Sequence, residues 1–160
     1  MSDDDTAAQR SRGDAVDPLD PHDLGRFVRA QAPVHDAVRA ELRAGSKRSH
    51  WMWFVFPQWR GLGRSETARR FGIASLDEAR AFAAHPLLGA RLREDCRVLL
   101  ATPAGRSAEQ IFGHPDDLKL CSSMTLFDAA VPDEPVFSAV LQRFCAGTRD
   151  QRTLQGLAES

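Results

Sequence analysis

All three tryptophans of this chain fall within nine residues, in the run Lys47-Arg48-Ser49-His50-Trp51-Met52-Trp53-Phe54-Val55-Phe56-Pro57-Gln58-Trp59. No other stretch constrains the fold as strongly. Rings this dense must be packed away from water, while the polar residues on both flanks must reach solvent or a partner. Aromatic and β-branched residues favour strand, and residues 51–56 have strand length. A strand needs a second strand, however, and nothing else in the sequence alternates or is comparably β-rich. The run is therefore expected to be a short buried helix, starting near Ser49 and ending before Pro57, whose predecessor is biased away from helical geometry. Being apolar on every face, it is expected in the middle of the molecule.

Helical signals surround it. Leu24, Phe27, Val28, Gln31, Val34, Val38 and Leu42 recur at spacings of three and four and form one apolar face. Pro33 interrupts that face, predicting a kink or two helices with Pro33 in the first turn of the second. Gly45 is a C-terminal stop. Gly61-Leu62-Gly63 predicts a turn, and Ser65 an N-cap. Ser75 to Glu78 and Ser107 to Gln110 are capping-box patterns. Pro115-Asp116-Asp117 opens a helix expected to reach Ala130. Pro135 opens another through Cys145, and Asp150 caps a last one over 153–158. The expected fold is all-α, a single multihelical domain of about seven to nine helices around the buried aromatic helix. Residues 1–20, polar and Asp-rich, are expected to be a disordered tail preceding a domain over 21–160.

Composition narrows the function classes. A formal net charge of -1 argues against bulk nucleic-acid or membrane-surface binding, and no apolar stretch is long enough to span a membrane. The acidic N-terminus is no signal peptide, so a cytoplasmic address is expected. Cys96, Cys121 and Cys145 are odd in number and far apart, and all fall in helical patterns. They are expected to be reduced core residues. No two histidines lie at i, i+3 or i+4, so no metal is expected, and no cofactor either. Of 21 basic residues only Lys47 and Lys119 are lysine. Either this is chance, or lysine is kept where a compact point charge is needed.

The segments KRSHWMWFVFPQ, GLGRSETARRFGI, HPLLGARLRE, IFGHPDDLKLCSSMTLF and FCAGTRDQRTL, in this order, resemble the signature blocks of the DUF1810 family over roughly residues 22–157. The family consists of small bacterial proteins of unassigned function. The resemblance implies a mainly α-helical single domain and assigns no catalytic residue.

Residue chemistry therefore carries the functional reading. Lys47, Arg48, Ser49 and His50 at the expected helix start form an anion-binding arrangement, with Trp51 and Trp53 available to stack. Equally open is a reading of solvated charges beside a core histidine. A second cluster comprises Asp116, Asp117, Lys119, Ser122 and Ser123, with Lys119 and Ser123 on one helical face. Either its serines donate to the preceding turn, or they face a polar cavity with the lysine. The two lysine segments are expected to converge on one pocket. The reading that follows is a small anionic planar ligand, such as a nucleotide or an ADP-ribose-like compound. Lys47, Arg48 and Lys119 would hold the anion, Trp51 or Trp53 would stack, and Gln58, Ser122 and Ser123 would hydrogen-bond. If a reaction occurs, His50 or Asp116 would move the proton. The alternative is a non-enzymatic module that meets a protein or peptide through an aromatic patch. Rings sunk around a concavity favour the first, and rings displayed on a flat face the second.

Overall fold

The computed structural model describes residues 17–159 and is all-α, with ten α-helices and no sheet. The short helices among them begin where a helix is expected, in the aromatic run and after Ser65 and Ser107. Residues 1–16 of the expected tail lie outside the described residues. Residues 17–20 form a turn in which the Asp20 amide donates to the Asp17 carbonyl at 2.9 Å. The Asp20 carboxylate then takes the Leu24 and Gly25 amides, at 2.7 and 2.8 Å.

Helices α1 (Gly25–Gln31) and α2 (His35–Ala44) are separate, with Pro33 in the link between them rather than in a first turn. Gly45 ends α2 at φ 66°, a left-handed conformation in which a side chain is strained. The aromatic run yields only α3 (Met52–Val55), far shorter than expected. Its backbone is claimed from outside. The Lys47 amide donates to the Ile111 carbonyl at 2.7 Å, and the Glu41 carboxylate takes the Arg48 and Ser49 amides at 2.6 and 2.9 Å.

A 3-10 turn (Arg60–Leu62) and α4 (Glu66–Phe71) follow, tied together by a single parallel bridge between Trp59 and Ile73. Helices α5 (Leu76–Ala84), α6 (Leu88–Leu100) and α7 (Ala108–Phe112) precede the longest element, α8 (Asp116–Ala130). The Ser107–Gln110 capping box is complete. At α5 only half forms, because Glu78 turns its carboxylate to the Ala74 amide and to Arg26 instead of to Ser75. Helices α9 (Pro135–Phe144) and α10 (Gln151–Glu159) close the chain.

The longest buried element is α8, which shares the core with Trp51, Met52, Val55 and Phe56 of the aromatic run. Residues 122–128 are all buried, and α5, α7, α9 and α10 pack around them. Two of the three hydroxyls in that stretch find partners locally. Ser122 and Thr125 donate to the carbonyls one turn back, Leu118 and Cys121, and Arg149 meets Asp128 at 2.6 Å. Phe127 lies 5.3 Å from Phe82 and 5.7 Å from Phe137, joining three helices in one aromatic core.

The cysteine expectation is overturned for two of three. Cys121 on α8 and Cys145 at the end of α9 form a disulfide, while Cys96 is a buried free thiol. The packing of α9 along α8 brings their Cα atoms to 5.9 Å, within disulfide reach. That proximity belongs to helix packing and leaves no trace in sequence spacing.

Candidate functional site

Glu41 organises the polar end of the aromatic run. Besides the two amides, its carboxylate accepts from Ser49 Oγ at 2.6 Å and from Trp51 Nε1 at 3.0 Å. Partial burial opposes its ionisation, but these donors outweigh it and bring the carboxyl to about 2. The indole of Trp51 is thereby fixed in the core against Phe56 and Phe112. Glu41 escaped the sequence reading because an acid on an amphipathic helix ordinarily faces water.

Next to this hub the two lysine segments meet. Lys47 Nζ lies 2.8 Å from Asp116 Oδ2, and Lys119 Nζ 3.3 Å from Asp116 Oδ1. Burial works against the charge on Asp116. The hydrogen bonds and charges of Lys47 and then Lys119 prevail, and its carboxyl stays below the ordinary value. The three groups together carry one uncompensated positive charge. Lys47 is the more enclosed, its side chain 8% exposed against 22% for Lys119.

Lys119 therefore carries the charge outward. Its ammonium sits 3.9 Å over the Trp53 ring, and both line a cavity of about 100 Å³ with Gln58, Trp59, Leu62 and Phe71. Two close approaches build its far wall. A Cβ on Gly63 would fall 2.3 Å from that of Ala68, and one on Gly72 would fall 2.6 Å from Arg60 Cα. Only glycine lets the turn close onto α4 there. The Trp59 indole is pinned from outside by α10, where a Cβ on Gly156 would meet Nε1 at 2.2 Å. Neither Trp59 nor Phe71 was assigned to a site from the sequence. The only signal was the glycine density of 61–63.

The remaining candidates scatter. Trp51 is fully buried and faces the core. Arg48 and His50 are exposed and do not line the cavity. His50 is turned to solvent, while Lys119 lines the cavity without it, so the expected common cleft of the two does not form. The amides of Arg48 and Ser49 already belong to Glu41, and a four-residue helix offers no free N-terminus for an anion. Ser122 is committed to its own helix. Ser123 is buried, with no hydrogen-bond partner for its hydroxyl among the described residues. Asp116 is held between two ammonium groups and does not line the cavity.

An all-α single domain with one lysine-capped, tryptophan-lined cavity is the class that fold and geometry define. The chain belongs to the family described as "Protein of unknown function (DUF1810)", whose model matches residues 21–157. It is similar to a solved structure, the conserved hypothetical protein Rv1873 from Mycobacterium tuberculosis. Identity is 57% and the TM-score 0.84, over 87% of this chain and 99% of that one. No functionally curated protein matches. Among the described residues no helix is long and apolar enough to cross a membrane.

Proposed function

We propose that the chain binds a small planar anion, with a ring between Trp53, Trp59 and Phe71 and its anionic edge at Lys119 and Gln58. The observation that carries this reading is the Lys119 ammonium over the Trp53 face at the mouth of the cavity. The arrangement offers stacking and a point charge together. A cavity of about 150 Å³ holds benzene, and the one here is about 100 Å³, so it takes the edge of a ring and the rest of the ligand would lie outside. Nucleotides and ADP-ribose-like compounds fit that description. No turnover is assigned, because neither His50 nor Asp116 is placed to move a proton within the cavity. The peptide-binding alternative has less support. The large hydrophobic side chains exposed among the described residues are Leu19, Leu87 and Leu118, and the tryptophan rings form no flat displayed face. A place in a bacterial cell is part of the proposal, drawn from the mycobacterial relative.

Thermal-shift titration with AMP, ADP and ADP-ribose tests it. A ligand at 100 times its dissociation constant adds about 2.7 kcal/mol, and Lys119→Ala and Trp53→Ala should abolish that shift while Arg43→Ala keeps it. Failure of all three compounds to shift the protein, or a shift that survives in both cavity variants, would overturn the reading.

A further inference from the structure

On a chain of net charge -1, one open groove of about 490 Å³ is lined by Arg26, Arg29, Arg60, Arg69 and Arg70, with Asp23 and Glu78 as its acids. Which of these charges are already committed decides what the groove can hold. Arg26 is fully engaged. It donates to the carbonyls of His22, Asp23, Arg70 and Gly72 and pairs with Glu78 at 2.7 Å. Both partners of that pair are nearly buried, so Arg26 and Glu78 form a neutral floor that fastens the start of the 70–74 segment to α1. Asp23 answers Arg29 at 3.7 Å. Arg60, Arg69 and Arg70 remain. All three are exposed, and none pairs with a carboxylate among the described residues. Glu66, one turn back on α4, does not reach them. Arg70 lies over the Phe71 ring at 5.1 Å, which orders its guanidinium.

Guanidinium forks match phosphate oxygens two at a time and hold their charge at any physiological pH. Three of them around one groove exceed what a single carboxylate can satisfy and suit a di- or triphosphate. A nucleic-acid backbone would need a longer basic stripe and a positive net charge, and this chain has no such net charge. We infer that the groove between α1, the 3-10 turn and α4 is a second site, for the phosphate groups of a small polyphosphorylated ligand. It stands independently of the tryptophan cavity.

Calorimetric titration of the full chain with inorganic tripolyphosphate at low ionic strength tests this, with melting curves verifying that each variant is folded. Saturable binding is expected. Arg60→Gln combined with Arg69→Gln should weaken it by about tenfold or more, and Lys119→Ala and Arg43→Gln should leave it unchanged. Absence of saturable binding overturns the site, as does equal loss in Arg43→Gln. Equal loss in Lys119→Ala would merge it with the cavity and overturn its independence. An oligothymidylate that displaces tripolyphosphate at lower concentration would reassign the groove to nucleic acid.

Discussion

Lys47 Nζ and Asp116 Oδ2 lie 2.8 Å apart, joining the start of the aromatic run to the first turn of α8. The lysine is nearly enclosed and has no solvent to replace a lost partner. Removing one member of such a pair leaves an uncompensated charge. Asp116→Ala should cost about 2–4 kcal/mol in urea unfolding. The more exposed Lys119→Ala should cost under about 1 kcal/mol. Equal, small effects of the two substitutions would show that the Lys47 contact does not persist in solution.

The two neighbouring tryptophans should separate cleanly in stability. Trp51 is fully buried and hydrogen-bonded to Glu41, so Trp51→Ala should cost about 3–5 kcal/mol. Trp53 is half-buried at the cavity wall, and truncating it should cost about half as much. Chemical denaturation of both variants checks the order, and a larger loss at Trp53 would contradict the placement.

Acid should act through Glu41. Its folded-state value of about 2 lies below the ordinary 4.5. The stabilisation is therefore complete above pH 4.5 and drains away as pH falls towards 2. Glu41→Gln should lose roughly 1–2 kcal/mol at neutral pH, the scale of charge-assisted hydrogen bonds at a half-exposed position. Its deficit against the wild type should shrink in acid. A deficit that stays constant from pH 7 to pH 2 would remove Glu41 from the acid response.

The disulfide closes a separation of 24 residues. Chain-entropy arguments give such a cross-link about 3 kcal/mol, so reductant should lower the denaturation midpoint, and Cys145→Ser should match the reduced wild type. A cytosol keeps such thiols reduced. Rapid alkylation of freshly lysed cells should then label Cys121 and Cys145 if the expected cytoplasmic address holds. An unchanged midpoint under reductant would show that the bond contributes nothing.

Local chemistry alone determined much of this molecule. The stops, caps and turns at Gly45, Ser65, Ser107 and Asp150 are short-range hydrogen-bonding preferences, and each is found where its residue type places it. The all-α class follows from the same signals, because no stretch could pair with a strand. The meeting of Lys47 with Lys119 was expected from the composition of their two segments, and their shared carboxylate could not be read at all. Tertiary structure decided the rest. Glu41 reached across to take the amides of Arg48 and Ser49 and the Trp51 indole. Packing of α9 on α8 made a disulfide of two cysteines with no local relation. The aromatic run was divided, Trp51 and Phe56 going to the core and Trp53 and Trp59 to the cavity wall. The physical reason is range: caps and turns are settled within about four residues, whereas the partner of a buried charge, a thiol or a ring face is chosen by whichever distant segment the core brings against it.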